Sequence, residues 1–103
     1  MADRLEALKN LLALNPNDLF ARYGLAMAYA GREQFEQAVQ EYESLLSLDP
    51  DYAVAYFQAG QALEKLGRRE EARQMYLRGV QVTTRLGQWH ARDQLQDALD
   101  LLG

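Results

Sequence analysis

The sequence predicts an all-α protein built as a stack of helical hairpins, about six helices in one domain over residues 1–103. Three observations lead there. First, a shift of 34 residues aligns much of the chain with itself: Pro16 falls on Pro50, and columns form from Leu14, Leu48 and Val82, from Leu12, Leu46 and Val80, and from Leu8, Tyr42 and Tyr76. Ala38 pairs with Ala72, Ala26 with Gly60, Ala28 with Ala62 and Tyr23 with Phe57 in the same register. Second, apolar residues recur at three and four, the period of a helix face, and no alternating stretch suggests a strand. Third, proline and glycine punctuate the chain where those periods break.

The elements follow in order at about 3–14, 18–30, 34–47, 53–66, 69–84 and 88–102. The first carries Leu8, Leu11, Leu12 and Leu14. It stops at Asn15-Pro16-Asn17-Asp18, because proline disfavours helix at the residue before it and the Asn and Asp side chains offer acceptors to the next helix start. Gly31 is expected to close the second helix in the left-handed conformation, as Gly67 closes the fourth. Asp49-Pro50-Asp51-Tyr52 separates the third helix from the fourth in the manner of 15–18. The last segment keeps Ala91, Leu95, Ala98, Leu99 and Leu102 on one stripe, with Arg92, Asp93, Gln96, Asp97 and Asp100 mainly elsewhere, the pattern of a helix that caps a stack.

Composition narrows the function classes. The absence of cysteine excludes disulfides, thiolate metal sites and thiol catalysis, and fits a reducing, cytoplasmic setting. A net charge of −4 argues against a nucleic-acid partner, since backbone binding depends on a Lys and Arg surplus. Asp3 and Glu6 interrupt the first apolar segment, so no leader is expected, and no apolar run approaches the roughly 20 residues that span a bilayer. Charge is distributed unevenly. Residues 1–51 hold 4 basic and 9 acidic side chains, and 52–103 hold 7 and 6. Such a field can orient a partner. Gly-Arg-Arg-Glu-Glu-Ala-Arg at 67–73 reads as a salt-bridged face rather than a basic patch.

The 34-residue pattern resembles the tetratricopeptide repeat, a helical hairpin with the signature W-x2-L-G-x2-Y, A-x3-F and P. Residues 19–52 supply Arg22, Leu25, Ala26 and Tyr29, then Ala38 and Tyr42, then Pro50. Residues 53–86 supply Tyr56, Ala59, Gly60 and Leu63, then Ala72 and Tyr76, with Thr84 in the proline column. Arg22, Ala59 and Thr84 depart from the pattern, and Arg22 is expected to loosen the first hairpin. The resemblance implies a right-handed solenoid of two full repeats, 19–52 and 53–86, preceded by a half-repeat over 3–18 and closed by a capping helix over 87–103. Small residues at 26, 38, 60 and 72 would let helices approach closely.

Catalytic groups are scarce. Ser44, Ser47, Thr83 and Thr84 have one histidine, His90, to serve them, and no triad spacing is visible. His90, Asp93 and Asp97 lie at i, i+3 and i+7, which reads as a solvated polar face rather than a metal cage. Glu70 and Glu71 are adjacent and diverge around a helix, unlike the facing carboxylates of acid–base catalysis. Neither enzyme activity nor a cofactor is expected.

The resemblance implies that the first helix of each hairpin lines a concave groove that holds a peptide segment. In the first unit Phe20, Tyr23 and Met27 form an apolar stripe roughly opposite the packing residues Leu25, Ala26 and Tyr29. Val54, Phe57, Gln58 and Gln61, followed by Glu64 and Lys65, continue it in the second unit, and Arg92 and Leu95 in the last helix. Two readings of the stripe stay open: groove or core. Relatives that bind chaperone C-termini clamp a carboxylate with Lys and Asn, then Asn, then Lys and Arg. Here the matching positions are Tyr23 and Met27, Gln58, then Gln88 and Arg92, so the clamp is largely absent. The sequence therefore predicts a non-catalytic interaction module for an apolar or amphipathic segment, with no nucleic-acid or membrane partner. The alternative is a structural homodimer using the same apolar surface.

Overall fold

A computed structural model describes residues 3–103. Its six helices are α1 (Arg4–Leu14), α2 (Leu19–Gly31), α3 (Phe35–Leu48), α4 (Ala53–Lys65), α5 (Arg69–Leu86) and α6 (Trp89–Leu102). There is no strand among the described residues. α2 packs on α3 and α4 on α5 as hairpins, α3 leans on α4, α5 on α6, and α4 also reaches α6. α1 lies on α2. The stack measures 43 × 28 × 19 Å.

Helix starts follow local chemistry. The Ala21 N–H donates to Asp18 Oδ1 at 3.0 Å and the Glu6 N–H to Asp3 Oδ1 at 2.9 Å, each satisfying an otherwise unpaired donor of the first turn. The second proline turn behaves differently from the first. Asp49 Oδ1 accepts from the Asp51 N–H at 3.0 Å, tightening the turn itself, and Tyr52 caps α4 without a side-chain bond.

Two terminations differ from the sequence reading. Gly31 remains within α2, and the left-handed residue of that turn is Glu33 (φ 60°), which aligns with Gly67 (φ 74°) of the next unit. The cause is geometric: both turns need positive φ two residues past the helix end, and only the second places glycine there. α5 overruns its expected end at 84 because Thr84 replaces the proline that stops α1 and α3. It continues to Leu86 and closes on Gly87 (φ 70°).

The core runs through α2 to α6. Ala26, Ala38, Tyr42, Leu45, Tyr56, Ala59, Leu63, Ala72 and Tyr76 are buried in it, while Leu5, Leu12, Ala21 and Leu25 form a smaller cluster between α1 and α2. Leu11, aligned with the buried Leu45, faces solvent because α2 covers only one side of α1, and Leu14 is exposed like its aligned Leu48. Gly60 permits the closest approach: a Cβ there would stand 2.1 Å from Tyr76 Cε1.

Arg22 does not loosen the first hairpin as expected. Its Nη1 donates to Glu41 Oε1 at 2.7 Å and its Nη2 to the Pro16 carbonyl at 2.9 Å. In the second unit Tyr56, at the aligned position, donates from its hydroxyl to the Pro50 carbonyl at 2.6 Å. Two chemically unlike side chains thus satisfy the same turn carbonyl, six residues back.

Candidate functional site

α2, α4 and α6 present the residues named as groove candidates, and their burial divides the stripe. Phe20 is 79% exposed, Val54 45% and Met27 38%. Tyr23 is half-buried, its ring 5.5 Å from Tyr52 and 6.2 Å from Tyr42 by centroid. Phe57 is half-buried against Tyr76 at 6.2 Å. Tyr23 and Phe57 therefore serve the core with one face and the surface with the other. Met27 Sδ accepts a 3.1 Å hydrogen bond from the Tyr42 hydroxyl, which fixes that thioether at the surface above a buried tyrosine.

The polar candidates separate further. Gln61 is exposed, yet its Nε2 donates to the Tyr76 hydroxyl at 2.7 Å. Gln58 is half-buried and Lys65 exposed. Arg92 is half-buried, with Nη1 donating to Asp93 Oδ1 at 3.3 Å and a buried Nε that has no partner among the described residues. Leu95, expected to reach the groove, is instead 1% exposed and packed against Gly79 of α5. The crossing of α6 on α5 turns that residue inward.

A cavity of about 430 Å³ lies between α4 and α6, lined by Phe57, Gln61, Glu64, Gln94, Asp97, Ala98 and Leu101. Of the residues named along the stripe, only Phe57, Gln61 and Glu64 belong to it. Gln94, Asp97, Ala98 and Leu101 were not anticipated as lining, although their spacing by three and four carries a signal: Leu101 is an apolar residue off the capping helix's core stripe, and it is 88% exposed. The floor is polar and organised. The Tyr76 hydroxyl donates to Glu64 Oε2, and burial, reinforced by that carboxylate, pushes the phenol well above its ordinary pKa. Burial raises Tyr42 in the same sense, with Tyr23 adding to it. Both rings stay neutral hydrogen-bond donors.

His90, Asp93 and Asp97 do not gather: no group of three or more His, Cys, Asp or Glu side chains among the described residues can hold a metal ion. Ser44 and Ser47 are exposed on α3, and buried Thr83 spends its hydroxyl on the Gly79 carbonyl at 2.7 Å. No described helix is long and apolar enough to cross a membrane.

Comparison with known proteins agrees with this geometry. Residues 27–67 match a family model described as TPR repeat, and residues 53–83 match one described as Tetratricopeptide repeat. A small glutamine-rich tetratricopeptide repeat-containing protein from Mycosarcoma maydis is 32% identical over 76% of this chain, which spans only 22% of that relative's length. The solution structure of a tetratricopeptide repeat domain protein from Salinibacter ruber superimposes with TM-score 0.79 at 32% identity, covering 85% of this chain and 89% of the other. A Bordetella parapertussis protein superimposes with TM-score 0.86 at 31% identity, over 99% and 89% of the two chains. The fold is shared as well, at TM-score 0.89 and 17% identity over 95% and 74%, with PcrH, solved in complex with the chaperone binding region of PopD. Repeat register, hairpin stacking and these likenesses agree: the chain belongs to the tetratricopeptide repeat family.

Proposed function

We propose that this chain is a non-catalytic protein-interaction module that holds an apolar or amphipathic peptide segment across α2, α4 and α6. The observation that carries the reading is the unburied apolar side chains on the first helices of the hairpins, Phe20 and Met27 on α2 and Val54 on α4. A folded stack leaves these groups in water, and a bound segment removes them from it, the driving force of helix-in-groove recognition. The PcrH complex, whose partner is a segment of PopD, supports the reading by analogy of fold. In this reading the units are 19–52 and 53–86, with 3–18 a half-repeat and 87–103 the cap.

Peptides selected from a random display library, measured by fluorescence anisotropy, test the proposal. The double variant F20S/V54S is expected to weaken binding at least about tenfold, since each side chain contributes roughly 1 kcal/mol or more on burial. Its melting temperature should stay near that of the parent, because both residues are exposed. Unchanged affinity would refute the groove.

A self-associating homodimer is the second reading, favoured by exposed Leu11 and Leu14 along α1. Light scattering over a wide concentration range separates the two: a stable dimer that dissociates on L11S/L14S supports it, and a monomer at every concentration removes it.

A further inference from the structure

Several carboxylates are matched by a cation, either across helices or one turn along the same helix. Glu41 pairs with Arg22, Asp51 with Arg85, Glu36 and Glu71 with Arg68, and Glu70 with Arg73. Glu64 and Asp97 are not matched, in common with Asp18, Glu33, Glu43, Asp49 and Asp100 among the described residues; what sets these two apart is the cavity they share. Both line the α4–α6 cavity, and neither has a cationic partner among the described residues. Of the nearby cations, Lys65 is not part of the lining, Arg92 is engaged by Asp93, and Arg69 shares a neighbouring depression with Glu64 without forming an ion pair to it.

Glu64 is also pre-positioned. Its Oε2 accepts from the Tyr76 hydroxyl and, at 3.5 Å, from Gln61 Nε2, while its Oε1 accepts no hydrogen bond from the described residues. Tyr76 is fully buried against the Phe57 ring, so the carboxylate is held by the core before anything binds. The rest of the wall is apolar at Phe57, Ala98 and Leu101 and carries the amides of Gln61 and Gln94. A cleft that combines apolar surface with two unpaired carboxylates is the complement of an aliphatic stem with a cationic head. At about 430 Å³ the cavity is within the range of side-chain and small-ligand clefts, about 300–1,000 Å³.

We propose that this cavity takes a lysine or arginine side chain of the bound segment, its stem on Phe57, Ala98 and Leu101 and its charge between Glu64 and Asp97. The proposal rests on the peptide-groove reading above and adds a charge preference to it: the segment is basic and amphipathic.

The test is a random peptide display library panned against the full chain, with the selected peptides then measured on D97N, E64Q/D97N and F20S/V54S. Selected peptides should carry Lys or Arg beside an apolar residue. D97N, whose side chain has no structural partner here, should weaken them about threefold, and E64Q/D97N about five- to tenfold, as expected for losing charge-assisted contacts. Replacing the basic residue by norleucine should erase the difference between parent and variant. Selected peptides without a basic residue, or with equal affinity for E64Q/D97N, overturn the cavity assignment. If those peptides still lose affinity on F20S/V54S, the groove reading survives alone; if no peptide is enriched, both fall. A dimer of the parent that E64Q/D97N dissociates would make the occupant a second copy and overturn the assignment to a partner segment.

Discussion

Replacing Gly60 by alanine adds one methyl group at the tightest helix contact in the stack. The new Cβ would lie 2.1 Å from Tyr76 Cε1 and 2.6 Å from both Cδ1 and Cζ, where ordinary contact begins near 3.4 Å. The ring must therefore retreat by more than 1 Å, about the difference between those separations. It has little freedom to do so, being fully buried and tied to Gln61 and Glu64 through its hydroxyl. Overpacking of this kind costs about 1–3 kcal/mol, and a clash with a fixed ring belongs at the upper end. Alanine in a helix interior returns about 1 kcal/mol in propensity. The net expectation is a loss of about 2 kcal/mol. For a domain of this size that lowers the melting temperature by about 8–16 °C. Gly31→Ala is the internal control: a Cβ there meets nothing within 4 Å and φ is not positive, so the same substitution should raise stability by up to about 1 kcal/mol. Thermal unfolding followed by far-ultraviolet circular dichroism measures both. A Gly60→Ala melting temperature equal to or above the parent would refute the close-approach argument.

Glu33→Gly should stabilise by roughly 0.5–1 kcal/mol, since it relieves a positive-φ side chain at the position where the next turn has Gly67; urea titration measures the shift in midpoint. Arg22→Met should cost about 1–2 kcal/mol by leaving the Pro16 carbonyl and Glu41 without a donor, and R22Y/E41M, which copies Tyr56 and Met75 of the second unit, should recover most of it; thermal melts of the three proteins decide. Tyr42 and Tyr76 have folded pKa values raised above 10.0 by burial, so their contribution is fully present below pH 10 and is lost as pH climbs toward the folded values. Ultraviolet titration of tyrosinate should therefore show these two ionising together with alkaline unfolding, and separate early titration of either would contradict their burial.

Much of the architecture is legible in the chain. Five of six helices end within one residue of the expected position, because signals such as proline and capping aspartate act locally and need no tertiary partner. The exceptions are equally local in origin. α5 runs on because Thr84 is no barrier, and the left-handed turn after α2 falls on Glu33 because the hairpin geometry is common to both units while the glycine is not. The site was less legible. Phe20 and Tyr23 sit three apart on one face and look alike in sequence, yet one is 79% exposed and the other lies between two tyrosines from α3 and the following turn. Leu95 and Leu101 likewise belong to one helix, and only the crossing of α6 on α5 sends the first into the core and leaves the second at the cavity.

The sequence alone determined the helical period, the 34-residue register, the family, and the small residues that allow close packing, since each is written in local spacing and composition. Only the tertiary structure decided which side of each apolar stripe is covered and which carboxylates are left without a partner. Hydrophobic burial carries no direction along the chain, so a face becomes core or groove according to which helix is laid against it. Glu64 and Asp97, 33 residues apart, become neighbours across one cavity only when α4 and α6 meet.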